Sequence, residues 1–198
     1  MNFLAHIYLS FDDDEITLGN FIADSIRGNK YQHLPKRIQK GIKLHRHIDT
    51  FTDTHPIPKI SSKRLHENYG HYSRVIVDIF YDHFLAKNWK TYSDVPLDVY
   101  VDRFYDLLED NFEVLPDGVK RMMPYMIADN WIYNYSNMDG IAKVLNGMNR
   151  RTKNRSKMNF AITDLEEHYH AFEHEFTEFF TELINYSKLK YKSINEKI

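Results

Sequence analysis

The chain has 198 residues, 42% hydrophobic and 27% charged, with seven Gly and six Pro, a balance that excludes disordered, collagenous and low-complexity proteins and suits about one globular domain. Its 26 Lys and Arg against 28 Asp and Glu leave a net charge of -2, which marks neither a nucleic-acid binder nor a strongly acidic protein. With no Cys, disulfides, thiolate nucleophiles, zinc fingers and iron–sulfur clusters are excluded, and any metal must be held by nitrogen and oxygen donors. The opening stretch Met1 to Ser10 is apolar but lacks a basic leader and soon meets Asp12-Asp13-Asp14-Glu15. Neither a signal peptide nor a membrane span is expected there, and a cytoplasmic protein is.

Apolar residues recur at helical spacing throughout, and no segment shows sustained alternation flanked by hairpin turns, which predicts an all-α bundle of about seven to nine helices in a single domain, 1–198. The first long helix runs from about Asp14 to Arg27, with Ile16, Phe21, Ile22 and Ile26 inward and Gly28-Asn29 beyond its end. Pro35 opens a second, striped by Ile38, Ile42, Ile48 and Phe51 as far as His55-Pro56. A short helix to about Asn68 follows, then Tyr69-Gly70, then a strongly apolar helix from His71 to Trp89. Pro96 and Pro116 are placed in the first turns of two more. Gly140 and Gly147 weaken a helix around Ile141 to Leu145. The last helix begins near Thr163, with Leu165, Tyr169, Phe172, Phe176, Phe179 and Leu183 on one side.

Polar residues interrupt these apolar stripes. Val75, Asp78, Asp82, Leu85 and Trp89 share one face of their helix, so two carboxylates stand where core is expected. Burying an unpaired carboxylate is costly or forces its protonation, so such a pair implies a cation, a hydrogen-bond network or a reactive site. In the second helix His45 and Asp49 lie at i and i+4 on the face of Ile38 and Ile42, and Asp53 extends the row. Asp24 follows Asn20 by one turn, and His6 stands among Leu4, Ile7 and Leu9. The set His6, Asp24, His45, Asp49, Asp78, Asp82 and His83 offers nitrogen and oxygen donors suited to Mn²⁺, Mg²⁺, Fe or Zn²⁺. The competing reading is structural: Asp78 and Asp82 paired with Arg46 or Arg74, and His6 and His45 satisfied within the core. His170 and His174 are four apart without the HExxH order and are read as surface residues, and Phe176, Phe179 and Phe180 as core.

Charge is separated along the chain. No acid occurs between Asp24 and Asp49, where Arg27, Lys30, Lys36, Arg37, Lys40, Lys43 and Arg46 lie. None occurs from Gly140 to Thr163, where Lys143, Arg150, Arg151, Lys153, Arg155 and Lys157 lie. An acidic partner is implied, although either run alone equally suits a solvated face.

Asn2-Phe3-Leu4-Ala5-His6, Gly19-Asn20-Phe21-Ile22-Ala23-Asp24, Gly41 through His45-Arg46-His47-Ile48-Asp49 with Thr52-Asp53, and Asp78 through Asp82-His83-Phe84-Leu85 to Trp89 follow one another in a specific order and spacing. In these residues the chain resembles the acyl carrier protein phosphodiesterase family, and the resemblance extends through Val144 to Met148 and to Leu165 and His168-Tyr169. It implies an HD-domain-like, Mn²⁺-dependent hydrolase that removes 4′-phosphopantetheine from holo-acyl carrier protein and returns the apo form, within fatty acid and lipid metabolism. The Asp82-His83 pair is similar to the doublet for which HD-type phosphohydrolases are named. On this basis His6, Asp24, His45, Asp78 and Asp82 are expected to hold the metal, and Asp24, His45, Arg46, Asp49, Asp82 and His83 to form the catalytic set. Arg46 is assigned two hydrogen bonds to the phosphate and Lys43 a supporting charge. The carrier protein is expected to meet Lys36, Arg37, Lys40, Lys43, Arg150, Arg151 and Arg155, with neither nucleic acid nor membrane as a partner. The oligomeric state and the group that protonates the leaving serine oxygen stay open. So do two alternatives: an HD-type hydrolase of a nucleotide or other small phosphoester, and a non-catalytic helical module that binds an acidic protein.

Overall fold

The computed structural model describes residues 1–196, which form helices α1 (Phe3–Tyr8), α2 (Asp14–Ile22), α3 (Lys36–Thr54), α4 (Pro56–Tyr69), α5 (Ser73–Lys87), α6 (Leu97–Asp110), α7 (Asp117–Ala128), α8 (Trp131–Asn134), α9 (Met138–Arg151), α10 (Ala161–Glu167) and α11 (Tyr169–Glu196). Eight of these have nine residues or more, and no strand occurs among the described residues. The fold is all-α, as the helical spacing predicts, and no helix of the described residues is long and apolar enough to cross a membrane.

The local differences from the predicted elements have physical causes. Residues 3–8 are helical although six residues are too few to show a period or to hold a helix in water. That helix exists because the buried Asp82 carboxylate on α5 accepts the N–H groups of Asn2, Leu4 and Ala5, three donors that a helix N-terminus leaves unpaired. The first long helix stops at Ile22, passes through a 3-10 turn at Ala23–Ser25 and leaves in an extended conformation at Ile26. Pro35, Pro96 and Pro116 stand one position before their helices, with ψ near 145°. Both weakening glycines lie inside α9, where the main chain of Asn134 presses so closely on Gly140 that a methyl group would not fit. The final helix is broken at His168.

One core joins the helices. Phe172, Phe176, Phe179 and Phe180 of α11 are fully buried, Phe172 against Phe80 of α5 and Phe176 and Phe179 against Tyr81, and α11 also lies along α3 and α4. The closest helix crossing is that of α2 on α3. There Gly19 lies against the Ile38 carbonyl and Gly41 against the Ile16 carbonyl, so neither position has room for a Cβ. This backbone-to-backbone approach sets Asn20 of α2 beside His45 of α3.

A methyl group at the crossing must push two helices apart. Gly41→Ala is expected to cost about 2 kcal/mol and to lower the thermal midpoint by roughly 4–8 °C. Gly147→Ala, in open space within α9, is expected to raise it slightly, and a pair of melting curves checks both.

Candidate metal centre

Four short segments deliver one cluster. α1 brings His6, the end of α2 brings Asn20, the 3-10 turn brings Asp24, and α3 brings His45 and Asp49 one turn apart. His45 Nε2 lies 2.9 Å from Asp49 Oδ2 and 3.1 Å from Asp24 Oδ1, while His6 Nε2 lies 3.3 Å from Asp49 Oδ1. The two imidazoles stack with centroids 4.0 Å apart and planes 19° from parallel. Asp49 therefore faces one imidazole with each carboxylate oxygen.

Asn20, fully buried, fixes both rings from behind. Its side-chain oxygen accepts from His6 Nδ1 at 2.8 Å, and its main-chain carbonyl accepts from His45 Nδ1 at 2.8 Å. Its amide nitrogen donates to the His6 carbonyl at 2.7 Å and to Ser10 Oγ at 3.0 Å, which settles the orientation of the amide. With both Nδ1 atoms donating, each neutral ring presents its lone pair at Nε2, toward the carboxylates. Locking the outer nitrogen of an imidazole in this way is how proteins orient metal-ligating histidines.

The charges follow from the contacts. Burial disfavours a cationic His45, but Asp24 and Asp49 outweigh it and raise the imidazole to about 9. His6 goes the other way, to about 4, because burial and the neighbouring His45 charge outweigh Asp49. Asp49 is held far below the ordinary carboxylate range because the adjacent His45 and His6 imidazoles overcome its desolvation. Asp24, mostly exposed, is lowered by its hydrogen bond from His45. At neutral pH one proton on His45 is thus shared between two carboxylates, and His6 Nε2 is buried without a hydrogen bond. A site that traps a proton among nitrogen and oxygen donors, with an orphaned imidazole lone pair aimed into it, fits a divalent cation. Ligand atoms of His6, His45 and Asp49 lie within 4.8 Å of one another, as a shared ion requires, and Asp24 stands next to them.

The family model for acyl carrier protein phosphodiesterase matches residues 1–183. The chain belongs to the acyl carrier protein phosphodiesterase family. Proteins of that name from Pectobacterium atrosepticum, Photorhabdus laumondii and Salmonella newport are 32%, 34% and 34% identical to it over 189, 182 and 192 residues. These alignments cover 95%, 91% and 93% of this chain and 98%, 91% and 96% of the relatives. No solved structure matches the chain.

Within this member of the acyl carrier protein phosphodiesterase family, the structure brings His6, Asp24, His45 and Asp49 together, places Asp78 on the wall of the cavity they open into, and engages Asp82, His83 and Arg46 elsewhere. Asp82 is spent on the N-terminus of α1, and burial pushes its carboxyl up to about 7 against the pull of the Met1 ammonium and those N–H groups. His83 places Nδ1 2.7 Å from the Tyr135 carbonyl and Nε2 2.7 Å from the Tyr169 hydroxyl, so neither ring nitrogen is open. Both members of the HD-type doublet are therefore engaged in holding helices. Asp78 accepts from the α-ammonium of Met1 at 2.9 Å, and burial raises its carboxyl. The pairing of Asp78 or Asp82 with Arg46 or Arg74 is not formed, since Arg74 lies 3.6 Å from Asp53. Arg46 donates to the Gly28 carbonyl and covers the Tyr31 ring at 4.9 Å. Lys36, Lys40 and Lys43 line the outer side of α3, about half a helical turn round from His45 and Asp49. Arg37 is paired with Asp13 and Glu15, and Arg150, Arg151 and Arg155 are exposed in and just beyond the last turn of α9.

Asp24, Asp49 and Asp78 open into a cavity of about 230 Å³ whose wall also carries Thr52, Lys59 and Arg74. Lys59 is a cation at the site that the sequence pattern does not single out, and Arg74 enters the sequence reading only as a possible ion-pair partner of Asp78 or Asp82, because α4 and α5 wall the cavity through tertiary packing. Asn20 carried a visible signal, a polar residue between Leu18 and Phe21 in an apolar stretch.

Asn20→Ala is expected to retain helical content while weakening Mn²⁺ binding about 10–100-fold, measured by the metal-dependent rise in thermal midpoint. In the metal-free chain His45 contributes stability that is complete below its ordinary value of 6.5 and lost as pH rises through about 9. Melting curves of chelated protein should therefore fall across that window, and His45→Gln should flatten the fall.

Proposed function

We propose that this chain hydrolyses the phosphodiester joining serine to 4′-phosphopantetheine in holo-acyl carrier protein, in the cytoplasm, using Mn²⁺ held by His6, His45 and Asp49 with Asp24 beside them. The observation that carries this reading is the pair of imidazoles locked by Asn20, with the orphaned Nε2 of His6 facing Asp49. Membership of a family named for that substrate, over residues 1–183, supplies the substrate class.

Reaction with water forms a bond from the water oxygen to phosphorus and breaks the bond from phosphorus to the serine oxygen. The serine oxygen departs with a proton, and 4′-phosphopantetheine and the apo protein result. A divalent cation bound at this set supplies positive charge beside the phosphate and makes water acidic enough to react near neutral pH. The chain's own residues do the rest. Asn20 keeps both Nε2 atoms aimed inward, and Asp49 holds the two imidazoles in one plane of approach. Arg74 is exposed and only loosely paired with Asp53, so its guanidinium is free to turn to a non-bridging phosphate oxygen, with the Lys59 ammonium on the same wall. These two cations take the role that Arg46 and Lys43 have in the sequence-based expectation.

The test is release of 4′-phosphopantetheine from purified holo-acyl carrier protein, followed by mass, first with chelated enzyme and then with Mn²⁺ restored. Metal-dependent release is expected, and Asp49→Ala should reduce it by about a thousandfold or more. Arg74→Ala should lower kcat/KM by roughly 10–100-fold with metal binding unchanged. Full turnover by Asp49→Ala overturns the assignment of the metal site. Hydrolysis of a small phosphodiester without loss of the prosthetic group redirects the reading to small phosphoesters. Absence of both turnover and Mn²⁺ stabilisation leaves a non-catalytic module.

A further inference from the structure

A second, larger concavity of about 670 Å³ begins where the metal cluster ends. Asp24 faces the catalytic cavity, and the next residue, Ser25, lines this groove. One wall is the segment from Ser25 to Pro35, and the other is the connection from α6 into α7, residues 113–120. Ile26 and Leu34 on one side and Val114 and Leu115 on the other give it an apolar floor. Arg27 and Lys30 stand exposed on the lip that continues from Asp24, and neither has an ion-pair partner among the described residues. The far lip carries Glu113 and Asp117 with Lys120, whose ammonium is engaged by the Glu113 carbonyl at 3.1 Å and the Phe112 ring.

The near wall is built to keep its shape. Gly28 turns the segment with φ +57°, and Arg46 clasps it at the Gly28 carbonyl and the Tyr31 ring. Arg46 directly follows His45, so the groove wall is tied to the metal ligands through one rigid turn of α3. The position that sequence alone marks as a phosphate clamp thus acts as the anchor of a surface.

We infer that this groove is the docking surface for an amphipathic helix of an acidic protein, with an apolar ridge against Ile26, Leu34 and Leu115 and carboxylates against Arg27 and Lys30. Charge complementarity decides the occupant. A neutral pantetheine arm needs no cations along its length, whereas an acidic helix pairs with a cationic lip and leaves the acidic far lip to solvent. Position agrees with charge, because a serine carried on a helix in this groove is next to Asp24. The cationic stripe Lys36, Lys40 and Lys43 is separated from the ligands by the thickness of α3, about 10 Å. The inference rests on the carrier-protein reading for the identity of the acidic protein and adds where that protein sits.

The experiment measures fluorescence anisotropy of labelled apo-acyl carrier protein, which has no diester to cleave, with the full chain at low and physiological salt. It compares wild type, Arg27→Glu with Lys30→Glu, and Lys36→Glu with Lys40→Glu, each checked for an unchanged thermal midpoint. Binding by wild type, with a loss of about tenfold or more confined to the Arg27 and Lys30 variant and a weaker salt dependence in it, is the expected result. Equal binding by wild type and that variant, or a loss confined to the Lys36 and Lys40 variant, overturns the docking surface. No binding by wild type overturns it as well. Binding that follows the expected pattern, with no release of 4′-phosphopantetheine from the holo form, keeps the surface and removes the hydrolase reading.

Discussion

Asn20 ties the centre of this molecule together through its main-chain carbonyl and both ends of its side-chain amide. Its carbonyl and side-chain oxygens each take an imidazole Nδ1–H, and its amide nitrogen ties back to the main chain of α1. One residue therefore sets the tautomer and the tilt of two rings that come from different helices, and the stacked imidazoles at 4.0 Å are the result. This works only because Gly19 and Gly41 let α2 and α3 touch backbone to backbone, which brings the Asn20 carbonyl within reach of His45. The packing of two glycines and the orientation of a metal ligand are the same constraint seen at two scales.

The electrostatics are arranged in layers. Inside, two carboxylates outnumber one imidazolium while His6 stays neutral, so the metal-free cluster keeps one net negative charge for a cation to neutralise. At the cavity wall Lys59 and Arg74 face Asp24, Asp49 and Asp78, so a phosphate entering the cavity meets cations on one side and a cation-binding set on the other. Farther out Arg27 and Lys30, without an ion-pair partner among the described residues, extend positive charge over a groove with an apolar floor. A near-zero net charge conceals this ordering because the acids of α6 and α11 balance it elsewhere.

The helical class, the positions of the long helices and the pairing of His45 with Asp49 were legible in the sequence, since i,i+4 spacing on an apolar face is a local property. His6 was legible from its apolar neighbours. Asp82 shows the limit of that reasoning. A carboxylate in an apolar stripe must be satisfied, but its spacing does not reveal by what, and here the donors are three N–H groups about eighty residues away. Lys43 and Arg46 show another limit, because neighbours in sequence sit on different sides of a helix. Lys59 and Arg74 join the cavity through the packing of α4 and α5 around it; nothing in the local pattern marks Lys59, and Arg74 was legible only as a possible partner of Asp78 or Asp82. The HD-like expectation came with the family resemblance, and the Asp82-His83 doublet does not add to it, since its atoms are committed to main chain and Tyr169.

The dependence of α1 on Asp82 also dictates the order in which the protein can be assembled. A six-residue helix has too few internal bonds to survive alone, so His6 takes its place only after α5 has formed and docked against the amino-terminal segment. A chain that has made α2 and α3 holds His45, Asp49 and Asp24 but lacks the imidazole that completes the set. On the proposed assignment, metal capture would be a late event of folding that reports closure of the bundle, and an incompletely folded molecule would carry no finished site with which to attack phosphodiesters at random.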